Sequence, residues 1–243
     1  MTRQVRIGLF AVSAAGLAAL MLWGASGLPS FGHYRGPYGQ IVNHVAPSER
    51  HVTNVVTAVV FDYRGVDTLG EEFILFAAAM GVALLLREVR DPRARRNDRV
   101  SSDAVRLAGV GFAAGLFVLG LSVVAHGPIT PGGGFQGGVV LASAFALVYL
   151  AGDYRSYRQL TPSFGIDLAK GTGLGVFTVV GIVSLLLGTA YLHNFGPLGT
   201  AGTLASGGTI SILNIATGLE VMAAFVLLFT EFLEELAVTR APR

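Results

Sequence analysis

A carboxyl group in the middle of an apolar run needs a chemical reason to be there. Glu220 stands inside SGGTISILNIATGLEVMAAFVLLFTEF, residues 206–232, where an acid costs about 2.5–3.5 kcal/mol on insertion scales. Such a group faces protein or a wet cavity rather than lipid, and its chemistry is the uptake and release of a proton or small cation. The bland alternative is a neutral glutamic acid making one structural hydrogen bond. Asn214 lies six residues upstream, about 1.7 turns, so the two do not share a helix face. A second acidic set lies in NVVTAVVFDYRGVDTLGEEFILFAAAMG, residues 54–81, with Asp62, Arg64, Asp67, Glu71 and Glu72 beside an apolar stretch. Glu71 and Glu72 point about 100° apart, so one is expected inward and the other toward the headgroups. Asp67 and Glu71 also suit the positive end of a helix.

The third set is HGPITPGGGFQGG, residues 126–138. Pro128 and Pro131 have no amide hydrogen and stop the preceding helix. Gly132, Gly133 and Gly134 permit conformations and close approaches that side chains forbid. Phe135, Gly137 and Gly138 continue the motif, while His126 ends one apolar run and Gln136 opens the next. Irregular main chain at membrane depth is tolerated only where protein or a water-filled cavity satisfies it. Amides at that helix start would also suit an anion or a carboxylate. Asp167 and Lys170 are spaced to pair on one helix face at the start of a fifth apolar run. His193 and Asn194, at its far end, read as hydrated interface residues.

The elements that must carry these groups are membrane helices. Of 243 residues, 52% are hydrophobic and 13% charged, and mean hydropathy is +0.62; a globular chain carries about 25% charge. A bilayer core needs about 20 apolar residues per helix. The chain is therefore expected to be an all-α integral membrane protein with six spans, at about 7–28, 70–87, 105–125, 134–151, 171–192 and 209–231. The first is longer than the roughly 7–15 residues of a signal-peptide core and reads as a retained span. The run near 50–61 is too short to cross and is expected as a surface or packed helix. With both termini cytoplasmic, 14 of the 17 basic residues fall inside, which satisfies the positive-inside rule. The arginine-rich stretch REVRDPRARRNDR (87–99) reads as a cytoplasmic linker, set at 91–103 between modules at 1–90 and 104–243. The absence of cysteine removes disulfides and thiolate chemistry. No phosphate loop, GxSxG elbow or HExxH motif occurs, and no metal site is expected. Gly, Ala and Ser in every span permit close helix packing.

The residues HGPITPGGGFQGGVVLASAFALVYLAG (126–152) and SGGTISILNIATGLEV (206–221) together resemble the B subunit of Mrp-type, multisubunit sodium/proton antiporters. NVVTAVVFDYRGVDTLGEE (54–72) is similar to the C-terminal part of the A subunit, and to a small subunit of membrane-bound hydrogenases. The resemblance implies a non-catalytic multi-pass subunit in a prokaryotic inner or plasma membrane. Its partners would be the other antiporter subunits (A, C, D and the small ones) and the lipid bilayer, with no nucleic acid. The complex would run on the proton gradient with no ATP or redox cofactor, carrying only Na+ and H+. Carried over by motif, the acids are Glu71 of DTLGE and Glu220 of GLEV. A purely structural scaffold and a subunit of a hydrogenase or related respiratory complex are the alternatives.

Overall fold

The computed structural model describes residues 3–28, 32, 36–87 and 102–239. The expected linker at 91–103 therefore lies outside the described residues up to its last two. All regular structure among the described residues is helical. Helix α1 is Arg3–Ser26, α2 Pro37–Arg50, α3 Val55–Ala58, α4 Gly65–Arg87, α5 Asp103–Ala125, α6 Gly134–Ala151, α7 Tyr154–Leu160, α8 Ser163–Leu186 and α9 Thr209–Thr239. Six of them (α1, α4, α5, α6, α8 and α9) are long and apolar enough to cross a membrane.

The chain divides into two compact units, residues 1–41 and 42–243. In the first, no residue of α1 is buried; its apolar side chains are all left for lipid or another protein. In the second, α9 is the hub. Some 61% of its span is buried, against 17–39% for α4, α5, α6 and α8. Glycine makes this packing possible. A Cβ on Gly137 would meet the Gly120 carbonyl oxygen of α5 at 3.0 Å, and one on Gly138 would meet the Gly218 carbonyl oxygen of α9 at 2.9 Å. With no hydrophobic drive between helices in lipid, such close approach is what holds a bundle together.

The boundaries depart from the sequence reading in several places, among them the ends of α8 at Leu186 rather than near 192 and of α9 at Thr239 rather than near 231. Helix α4 begins at Gly65 rather than near 70, and α8 at Ser163 rather than near 171. A hydropathy reading stops at charges, whereas Asp67 and Lys170 here continue their helices. Upstream of α4, α2 is an additional amphipathic helix containing Pro47, with Val42 and Ala46 buried. The short helix expected near 50–61 is α3, which runs on through a π turn over Val59–Tyr63. The Arg64 N–H donates to the Val59 carbonyl at 2.8 Å, five residues back, as a π turn requires. The Thr68 hydroxyl donates to the Val60 carbonyl and ties that turn to α4.

Two apolar clusters fill the second unit. One gathers Val52, Phe61, Phe177, Leu192, Ile210 and Leu213. The other gathers Ala79, Ala83, Tyr157, Ile166, Ala223 and Leu227. Between the two clusters α4, α8 and α9 each bring buried polar residues to one level.

Candidate functional site

That polar layer consists of Glu72 from α4, Lys170 from α8, and Thr217 and Glu220 from α9. Glu72, Thr217 and Glu220 are wholly buried, and Lys170 is 3% exposed. At 1.5 Å per residue, Glu220 stands about 2 Å, Glu72 about 5 Å and Lys170 about 7 Å from the middle of their spans. Glu72 and Lys170 are displaced toward opposite ends of the bundle. The carboxyls of Glu72 and Glu220 are neighbours at the α4–α9 contact, with the Thr217 hydroxyl on the Glu72 side and Lys170 on the Glu220 side. No protein hydrogen bond closes on any of the four carboxyl oxygens. Gly173 lets α8 come this close: a Cβ there would lie 2.6 Å from the Glu220 Cβ and 2.8 Å from the Ala216 carbonyl oxygen.

Lys170 is one turn from Gly173 on the same face of α8. Its ammonium donates to the Met80 Sδ at 3.0 Å and the Asp167 Oδ1 at 3.4 Å, and lies 5.4 Å from the centre of the Phe76 ring. Beyond Asp167, a cleft lined by Arg158, Ser163, Thr230, Glu231 and Glu234 opens at one end of the bundle. A second cleft opens at the opposite end, lined by Arg50, Asp62, Tyr63, Arg64, Asp67 and His193. Arg50 is ion-paired with Asp62, and Arg64 with Asp67. Burial first, then a 3.0 Å hydrogen bond to Glu49, push the Tyr63 hydroxyl up to about 12, so it stays a neutral donor at any physiological pH. The three ionisable groups of this layer lie between two polar mouths, one of them lined by the buried Glu231 and Glu234, an arrangement able to bind and pass on a proton or a small cation.

The structure brings Glu220, Lys170 and Asp167 together and leaves the other sequence candidates apart. Glu71 is exposed and its neighbour Glu72 is the buried acid, so the inward acid of the DTLGEE stretch is the second, not the first. Asp67 is exposed and paired with Arg64 at the mouth of the second cleft. Gln136 is exposed. His126 is half-buried, its Nδ1 2.9 Å from the Ser122 carbonyl oxygen.

Asn214 serves the glycine hairpin instead of the polar layer. Its Oδ1 accepts from the Gly134 N–H at 2.8 Å and its Nδ2 donates to the Val124 carbonyl at 2.7 Å. The helix start read as suited to a carboxylate is thus filled by a carboxamide. Asn54 and Thr57, which sequence reasoning missed, close the hairpin from the other side. Asn54 Nδ2 donates to the Gly127 and Thr130 carbonyls at 2.7 and 2.9 Å, and the Thr57 hydroxyl to Gly127 at 2.7 Å. The irregular main chain at 126–130 is therefore satisfied by protein. Gly132 and Gly133 take φ of 141° and 124°, values open to glycine alone. Asn214→Leu removes both latch bonds from a buried site. It is expected to cost about 2–4 kcal/mol, read as a lower denaturation midpoint of the purified chain in detergent.

The family described as "Domain related to MnhB subunit of Na+/H+ antiporter" matches residues 112–227, which contain the hairpin, Lys170 and Glu220. The B subunit of the Na(+)/H(+) antiporter of Bacillus subtilis is 36% identical over 103 residues, 42% of this chain and 68% of that protein. The chain belongs to the family of the Na+/H+ antiporter B subunit. This B-subunit family does not account for the whole chain: residues 37–100, which contain Glu72, match the family of the MBH E subunit, MbhE. A Methanocaldococcus jannaschii protein of uncharacterised role is 30% identical over 227 residues, 84% of this chain and 86% of its own. Among solved structures, a chain of the membrane-bound sulfane sulfur reductase, an archaeal respiratory membrane complex, superposes with a TM-score of 0.74 at 28% identity, covering 95% of this chain and 99% of that one. A chain of the Mrp complex from Dietzia sp. shares the fold, with a TM-score of 0.71 at 20% identity; the match covers all of this chain and 27% of that longer one.

Proposed function

We propose that the chain is a membrane subunit of a multisubunit sodium/proton antiporter and that its buried Glu72–Glu220 pair lies on the route of a transported cation or proton. The observation that carries this reading is the pair itself: two wholly buried carboxyls, with no hydrogen-bond partner among the described residues, near the middle of the spans. Burying charge costs several kcal/mol per ion. A scaffold would be served as well by apolar residues of the same volume. The partners are the other antiporter subunits, which would also cover the exposed apolar sides of α1 and α5. The driving force is the proton gradient, no ATP or redox cofactor takes part, and the membrane is the prokaryotic plasma membrane. The two-module division, at 1–90 and 104–243 with a basic cytoplasmic linker between, belongs to the same reading.

Glu220→Gln tests it. In the assembled complex, sodium/proton exchange in vesicles should fall about tenfold, a barrier increase of about 1.4 kcal/mol, with complex recovery unchanged. Unchanged exchange per complex overturns the reading. The 28% identity to a chain of a respiratory membrane complex, over nearly its whole length, favours one second reading, a subunit of such a complex. The masses of the subunits that purify with a tagged chain separate the two.

A further inference from the structure

Lys170 is a poorly solvated ammonium beside a poorly solvated pair of carboxyls. An ammonium offers three hydrogen-bond donors. Here it has a thioether sulfur, one carboxylate oxygen at 3.4 Å and the face of a phenyl ring. The carboxylate, Asp167, is itself 55% exposed, so this seat is weak and water weakens it further. On the other side, the oxygens of Glu72 and Glu220 accept no protein hydrogen bond. The Gly173–Glu220 approach puts the two helices in backbone contact one turn from Lys170. A four-carbon stem with rotatable bonds lets the head choose between the two sides. The charged groups around Lys170 are Asp167 on its own helix and Glu220 from α9, with Glu72 of α4 beside Glu220; Arg158 of α7 and Glu231 of α9 line the cleft beyond Asp167. If every acid of the core group is ionised, Glu72, Glu220 and Asp167 exceed Lys170 by two negative charges, so the layer also requires protons or cations from outside.

We infer that Lys170 is a built-in competing cation: its ammonium moves between the Asp167 seat and the Glu72–Glu220 carboxyls, so the pair is neutralised either by Lys170 or by an arriving proton or monovalent metal ion. Arrival of the external cation sends Lys170 back to Asp167, and its return expels that cation. The inference rests on the Glu72–Glu220 reading above and adds to it the group that drives release.

The test uses the intact complex in vesicles and measures the half-maximal pH of exchange and the apparent KM for sodium. A positive charge beside a carboxyl favours its ionised form. Lys170→Gln removes that charge, so the half-maximal pH should rise by about one unit, a tenfold change in proton concentration, and the sodium KM should fall, with slower maximal exchange because release loses its driver. Asp167→Asn removes the alternative seat and drives Lys170 onto the pair. Its half-maximal pH should fall and its sodium KM rise, the opposite signs. Lys170→Arg keeps the charge and should keep the half-maximal pH. Wild-type profiles in both neutral variants, or shifts of the same sign, overturn the inference. If Lys170→Gln does not assemble, Asp167→Asn still decides, since its carboxyl is half-exposed. Loss of exchange in Glu220→Gln alongside unmoved profiles in the Lys170 and Asp167 variants sinks this inference alone. Normal exchange in Glu220→Gln sinks the reading beneath it.

Discussion

Gly134→Val is expected to abolish recovery of the folded chain. A Cβ at this position would lie 2.4 Å from the Asn214 carbonyl oxygen, 2.7 Å from the Thr217 Cβ and 2.9 Å from the Gly218 nitrogen. Two of these atoms are main chain of the hub helix and the third is a branch point, so no flexible side chain can swing away. Relief requires α6 and α9 to separate, which strips contact from one of the closest helix pairs in the bundle and breaks the Asn214–Gly134 hydrogen bond at 2.8 Å. Overpacking alone costs about 1–3 kcal/mol, and the orphaned buried amide adds about as much again. Against the roughly 5–15 kcal/mol that holds a typical protein folded, the expected result is at least a tenfold fall in monodisperse protein by size exclusion in detergent. Gly115→Ala is the control: nothing lies within 4 Å of a Cβ there, and alanine is the better helix former. Its recovery should equal or exceed the wild type. A Gly134→Val chain recovered normally would remove close α6–α9 packing as the reason for the glycine run.

The glycine result also explains what the sequence could and could not show. The run at 132–134 was legible as a break because proline and glycine have local conformational signatures. Its role was not, because the second half of the motif works through tertiary contact: Gly134 and Gly138 meet α9 while Gly137 meets α5. Glu220 was legible as a candidate because a charge inside an apolar run is costly wherever the helix sits, and Lys170 because it stands three residues from Asp167 at the start of such a run. That Lys170 is buried within α8, not placed at its hydrated start, depended on Asp167, Met80 and Phe76 giving it a seat, and two of those three lie on another helix. Asn54 stood in a run too short to span, where its hydrogen bonds to residues more than 70 positions away left no local trace. Adjacent acids posed a different difficulty. Two neighbours on a helix point about 100° apart whatever the fold, and only the rotation of α4 against α9 decides which of them turns inward.

That rotation makes the largest functional contrast. The double variant Glu72→Gln/Glu220→Gln is expected to reduce sodium/proton exchange to the level of vesicles lacking the complex, whereas Glu71→Gln should exchange as the wild type does. Glu72 is wholly buried and Glu71 exposed, so equal chemistry at neighbouring positions meets opposite surroundings. Each single replacement leaves one carboxyl in the layer to bind a cation, which is why a tenfold loss is expected for Glu220→Gln alone. The double replacement leaves none there, and Asp167 becomes the only carboxylate beside Lys170 in the group. Glutamine keeps the volume of glutamate, so packing between the two apolar clusters is preserved and assembly should survive. The measurement is exchange per recovered complex, read from the collapse of an imposed pH gradient on sodium addition. Because residues that act as one unit fail to add, the double loss should differ from the sum of the single losses. Wild-type exchange in the double variant would mean that the cation passes elsewhere and that the buried pair only holds α4 to α9. Loss of exchange in Glu71→Gln would place the working acid on the outer face of α4, against the register seen here.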